Sequence, residues 1–175
     1  MKQTGNDGTF AGQVVIVTGG AAGIGKGIVR CFAEEGASVL VADWNEEDGA
    51  AAREEMERLF GADIRFVKTD VSDPEQIRRT VEEATGRWNR VDVLVNNVGT
   101  HYYRPLADIS AADWDRLMAS DLRGHFLMSQ AVAPVMIERG GGCIVHISSV
   151  HAWQTQPNFT AYAAAKGGIL AMTRA

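Results

Sequence analysis

Three side chains near the end of the 175-residue sequence have types and spacing that could do chemistry. In "SSVHAWQTQPNFTAYAAAK", Ser149 precedes Tyr162 by thirteen residues and Lys166 follows it by four. A spacing of four puts Tyr162 and Lys166 on one face of a helix, one turn apart. An ammonium beside a phenol favours the phenolate. Tyr162 could then exchange a proton with a substrate hydroxyl or carbonyl while Ser149 hydrogen-bonds the same oxygen. Lys166 could in addition hold a ribose. Such Tyr–Lys pairs are common on helix surfaces, so the assignment needs a cofactor or substrate site to go with it.

A stretch near the start supplies one. "TGGAAGIGKG", residues 18–27, holds five glycines directly after the apolar run "QVVIVT". Gly19, Gly23 and Gly25 allow a sharp turn and a close approach of backbone to a pyrophosphate. The amides that open the following helix, around Ile24, would face the phosphates. The spacing is G-x-x-x-G-x-G rather than G-x-G-x-x-G, so the generic dinucleotide fingerprint is not met to the letter. Asp43, twenty-four residues after Gly19 and at the end of the second apolar run, can bind a ribose 2′-hydroxyl. It could equally cap the next helix, and the two roles are compatible. A carboxylate there repels a 2′-phosphate, and Ala21 and Ala22 offer no cation, so NAD is expected over NADP.

These residues need a scaffold, and the hydrophobic pattern specifies one. "QVVIVT" (13–18), "SVLVAD" (38–43), "DIRFVKTD" (63–70), "VDVLVNN" (91–97) and "CIVHISS" (143–149) read as strands. Most lack polar alternation, as strands buried on both faces do. Helices separate them. Ile24, Ile28 and Phe32 recur every four residues before Gly36. Ala52, Met56, Leu59 and Phe60 mark a second helix. In a third, Ser72 or Asp73 can cap, Pro74 opens the helix, and Ile77, Val81, Ala84 and Trp88 form the stripe. A long helix starts at a Ser110 cap with Asp113 in capping-box position, and Pro134 is expected to kink or end it. A last helix begins near Ala161. Strand–helix alternation of this kind gives an α/β, doubly wound parallel sheet with ligands at the carboxyl ends of its strands. Residues 1–12 read as a flexible tail and 13–175 as one nucleotide-binding domain.

Composition narrows the class. The chain is 46% hydrophobic with a net charge of −5 and a pI near 5.3, so no basic field draws it to nucleic acid or to an anionic membrane. No stretch has the length of a membrane span or the form of a signal peptide, and a soluble, cytoplasmic protein is expected. Cys31 and Cys143 read as free, buried thiols.

"TGGAAGIG", "NNVG" at 96–99, "ISS" at 147–149 and "YAAAK" at 162–166, in this order and at these separations, resemble the short-chain dehydrogenase/reductase family from about Gly12 onward. The resemblance implies a Rossmann fold, a nicotinamide cofactor and reversible hydride transfer between a secondary alcohol and a ketone. It implies Ser149, Tyr162 and Lys166 as catalytic residues. Asp70 and Val71 become adenine contacts, Asn96 a cofactor-ribose contact, and Asn97 and Gly99 the motif that ties the central sheet. It also implies a homo-oligomer built through the long helix and the last one.

Three departures stand out. Val98 replaces the family's usual Ala. Asp121 in "SDLRGHF" stands where the family has a catalytic Asn in a proton relay, and His125 or Lys166 is its expected partner. The family's final strands and the segment that covers the substrate are missing. Two readings follow: an NAD-dependent oxidoreductase acting on a small alcohol or carbonyl compound, or a catalytically deficient nucleotide-binding or structural protein. His101 and His151 are expected to border the substrate pocket, and no metal site is expected. His146 is expected to be a hydrogen-bonded sheet residue. Trp44, Trp88, Trp114 and Trp153 are expected to pack, Trp153 with a possible place in the substrate wall.

Overall fold

A computed structural model describes residues 8–175. Five parallel strands form one sheet: β1 (Val14–Thr18), β2 (Ser38–Asp43), β3 (Ile64–Lys68), β4 (Val93–Asn96) and β5 (Cys143–His146). Their spatial order is β3-β2-β1-β4-β5. The chain leaves β1 in one direction and, after β3, returns to pair β4 on β1's other edge. The strand order therefore reverses between β1 and β4, and a crevice opens there beyond the strand ends.

The helices are α1 (Gly23–Glu34), α2 (Glu46–Phe60), α3 (Pro74–Trp88), α4 (Ala111–Met118), α5 (Gly124–Glu138) and α6 (Thr160–Arg174). On one face of the sheet Val29, Ala33 and Met56 pack on Val15, Val17, Val39 and Val41. On the other, Ile77, Val81, Ala84, Met128, Val132 and Met136 cover Ile16, Leu40 and Leu94. β1 is buried along its whole length, which accounts for its unbroken apolar run.

Local chemistry sets the helix starts. Asn45 caps α2, Asp73 caps α3 ahead of Pro74, and Ser110 caps α4. At the last of these, Ser110 Oγ accepts from the Asp113 amide and donates to its carboxylate. The expected long helix runs from α4 into α5 through a wider π-helical turn, Ala119–Arg123. Pro134 lies inside α5, which continues past it to Glu138.

Several expectations are corrected. Ile24 is 70% exposed, because the buried face of α1 is set by Gly25, Val29 and Ala33. Both cysteines are exposed. Trp44 and Trp153 are solvent-exposed rather than packed, whereas Trp88 packs against the core and donates to Asp63. Of the segment read as a tail, residues 1–7 lie outside the described residues. Phe10 sits edge-on to Phe32, and its amide donates to the Glu35 carbonyl. No helix among the described residues is long and apolar enough to cross a membrane.

Candidate active site

The glycine turn after β1 follows from close approach. Gly19 and Gly23 have positive φ, and a Cβ on Gly25 would lie 1.9 Å from the Gly19 carbonyl oxygen, so no other residue fits position 25. The turn is held from outside. Asn97, just past β4, donates from Nδ2 to the carbonyls of Thr18 and Gly19 at 3.1 Å each, and its amide donates to Thr18 Oγ1. From the other side, Asp43 Oδ2 accepts from the Ala21 amide at 3.0 Å, while Oδ1 accepts from Asn45 N. The cap of α2 is thus Asn45, and Asp43 braces the turn.

A cleft of about 640 Å³ opens over this turn. Gly19, Gly23, Ile24 and Gly25 form its floor, Asp43 and Trp44 one wall, Asp70 and Val71 another, and Val98, Gly99, Tyr162 and Lys166 its far end. Unlike α2, α3 and α4, helix α1 has no side-chain cap and no acid in its first turn. Gly23, Ile24 and Gly25 at its start line the cleft, where an anion would satisfy the amides of the first turn. The size suits a nucleotide-like ligand, and the bare backbone floor suits a phosphate group. The cations nearby are committed: Lys26 pairs with Glu55 and Lys68 with Glu46. Among the described residues no group of three or more His, Cys, Asp or Glu could hold a metal ion.

At the far end, Lys166 is buried and its Nζ donates to the Ile147 carbonyl at 3.1 Å. Nζ lies 5.7 Å from the centre of the Tyr162 ring. Burial pushes the Lys166 ammonium below the usual lysine range, partly opposed by the charge of Asp121. The Tyr162 ring is flanked by His151, edge-on at 5.6 Å, and by His101 at 6.0 Å. His151 in turn stacks on Phe159. Both histidines therefore border the tyrosine.

Three sequence expectations shift here. Asn96 does not face the cleft. It is buried on the opposite side, its Nδ2 within reach of Ser129 Oγ and His146 Nδ1, and Asn97 lines the cleft instead. Ser149 is not among the lining residues. Its hydroxyl accepts from the His151 amide, capping the short turn Val150–Ala152, and Ser148 lines the cleft while donating to the Lys166 carbonyl. Asp121 hydrogen-bonds to neither His125 nor Lys166, although the Lys166 charge acts on it. It is fully buried, and its carboxylate accepts from Thr100 N at 2.8 Å and from Ser120 Oγ at 2.7 Å. Burial raises its pKa, with these two bonds and the Lys166 charge opposing. His146 is held in the sheet as expected, with Asn96 and His125 beside its Nδ1.

Residues 13–175 match the family model for short chain dehydrogenases. The chain is 41% identical over 162 residues to an uncharacterized oxidoreductase of Thermotoga maritima, covering 93% of this chain and 63% of that protein. It is 35% identical over 163 residues to a D-threitol dehydrogenase of Mycolicibacterium smegmatis, covering 93% and 62%. The solved structure of an NAD+-bound xylitol dehydrogenase superposes with a TM-score of 0.90 at 31% identity, covering 94% of this chain and 64% of that one. The chain thus spans less than two thirds of the length of each of these relatives.

Proposed function

The chain belongs to the short-chain dehydrogenase family, and on that premise we propose that it is the cofactor-binding and proton-transfer part of an NAD-dependent oxidoreductase acting on a small alcohol or carbonyl compound. One observation carries the reading. A single cleft holds the uncapped start of α1 and the glycine turn at one end and the Tyr162–Lys166 pair at the other. A nicotinamide cofactor, when bound, would supply the hydride acceptor or donor.

The chain's own residues do the rest. The amides of Gly23, Ile24 and Gly25 and the floor at Gly19 take the phosphates. Asp43 offers its carboxylate edge to a ribose hydroxyl, and Asp70 and Val71 line the pocket for the base. Gly99 and Lys166 border the nicotinamide end, and Asn97 holds the glycine turn at the phosphate end. Tyr162 donates or accepts the proton at the substrate oxygen, with the Lys166 ammonium one helical turn away beside its ring. Ser149 is not part of the cleft lining; its hydroxyl accepts from His151 N and keeps its own proton to donate to a substrate oxygen that reaches it beyond the cleft. A cytoplasmic location and self-association through α5 and α6 belong to the same proposal.

Titration with NADH and NADPH tests it. NADH should bind more tightly by about tenfold or more, because Asp43 repels a 2′-phosphate and, among the described residues, the lysines nearby are already paired with acids. Asp43→Ala should narrow the gap. Equal affinities in the unsubstituted protein would overturn the preference, and no binding of either would overturn the assignment of the cleft. In a form that turns over, Tyr162→Phe should abolish activity and leave NADH affinity nearly unchanged, since only the transferable proton is removed. Turnover retained in that variant would exclude Tyr162 as the acid–base residue.

A further inference from the structure

Helix α5 buries Gly124, His125, Met128, Val132 and Met136. Four of these are apolar or glycine, and His125 alone is polar. A methionine or leucine at 125 would bury apolar surface at no cost in desolvation. His125 is 1% exposed, and its Nε2 lies 2.8 Å from the carbonyl oxygen of Val98. A carbonyl only accepts, so Nε2 carries the proton and the ring is a donor to the backbone.

One turn earlier, inside the π-helical segment, Asp121 accepts from the amide of Thr100 at 2.8 Å. Two buried side chains four residues apart thus grip one short backbone segment at both ends, Val98 through its carbonyl and Thr100 through its amide. Gly99 sits between the two grips. A Cβ there would lie 2.6 Å from Lys166 Nζ and 3.5 Å from Asp121 Oδ2, so the segment is pressed against the buried lysine. Val98, Gly99 and Thr100 all line the cleft.

We infer that His125 is a positioning residue: with Asp121 it clamps the backbone of residues 98–100 so that Gly99 closes over Lys166 and forms the far end of the cleft. The inference rests on the cofactor reading only where it concerns ligand affinity. The clamp itself stands on the two hydrogen bonds and the close approach at Gly99.

Gln and Asn substitutions test it on the 175-residue chain. The amide nitrogen of Gln falls near the position of Nε2 and can still reach Val98, whereas that of Asn falls near Nδ1 and cannot. His125→Asn should speed hydrogen exchange at the Thr100 amide by about tenfold and weaken NADH binding by a similar factor. His125→Gln should stay within about twofold of the unsubstituted protein in both. Val132→Ala, a buried change on the same helix, should lower the melting temperature and leave both readings in place.

Thr100 exchange that is unchanged in His125→Asn, or equally fast in His125→Gln, would overturn the clamp. Faster exchange with unaltered NADH affinity would overturn its role in the cleft. If the unsubstituted protein binds neither NADH nor NADPH, the cofactor reading fails and the exchange data alone decide the clamp. If His125→Asn does not fold, the ring nitrogen chemical shifts of the unsubstituted protein decide it. A neutral His125 with its proton on Nε2 supports the bond to Val98, and a proton on Nδ1 overturns it.

Discussion

His125 shows what a single buried side chain can impose. Desolvation holds its imidazole well below the usual histidine range, at about 4 against 6.5; the bond to Val98 opposes this, and the charges of Lys166 and His146 add to it. Between pH 6.5 and about 4 the unfolded chain binds a proton at this position and the folded one does not. This contribution to stability is complete above the unfolded value and is lost as pH falls toward the folded one, on the order of 3 kcal/mol in all. His146, also depressed by burial, acts with the same sign. Asp121 acts with the opposite sign. Burial raises its pKa, so its ionised form costs stability above the folded value, and that cost is relieved as pH falls through it. Melting temperatures across this range should therefore fall on acidification, and His125→Gln should remove the largest part of the fall while His146 and Asp121 still titrate. Identical pH slopes in the two proteins would show that His125 is not the group being titrated.

The elements show which of these features the sequence could announce. Apolar runs gave five strands, and Asp73, Pro74 and Ser110 marked helix starts, because each acts over a few residues. In α1, Ile28 and Phe32 pack against the core as their spacing implies, whereas Ile24 faces solvent because Gly25 is the residue pressed against the turn. The resemblance puts Asn97 in the tie to the central sheet, where it does bond Thr18 and Gly19, but it puts Asn96 at the cofactor ribose, whereas the structure turns Asn96 away from the cleft. Successive side chains in a strand point to opposite faces, so the register of β4 decides which asparagine meets the glycine turn. His125 was legible only as a polar residue near Asp121, since its partner, a carbonyl at Val98, lies 27 residues away. The bridge from Asn97 across to Thr18 and Gly19 is an element-scale tie between β4 and β1. Asn97→Ala should leave two partly buried carbonyls short of a donor and cost about 2 kcal/mol. It should lower the melting temperature and weaken NADH binding together. A lower melting temperature with full NADH affinity would mean that the tie supports the sheet and not the cleft.

On the scale of the whole molecule, surface chemistry is unevenly distributed. The outer surfaces of α2 and α3 carry ion pairs, such as Glu55 with Lys26 and Arg53 with Glu57 on α2, and Arg78 with Glu75 and Glu82 on α3. Helix α5 is different. Its inner face fills the core through Met128, Val132 and Met136, and its outer face is apolar as well, with Phe126 47% and Ile137 75% exposed. A helix that is apolar all round is at home between two layers rather than at a surface. At the sheet's edge, β5 leaves Cys143 and Val145 exposed and, among the described residues, has a partner strand on one side only, a geometry that invites further pairing. The 175-residue chain should therefore self-associate in a concentration-dependent way, with α5 contributing most of the contact. Light scattering after size exclusion should show species above the monomer mass. A Phe126→Ser, Ile137→Ser double variant should shift them toward monomer while keeping its melting temperature within a few degrees, because both side chains are exposed in the single chain. A clean monomer at high concentration in the unsubstituted chain would rule out α5 as a contact surface. Association that persists unchanged in the double variant would move the contact to the open edge of β5.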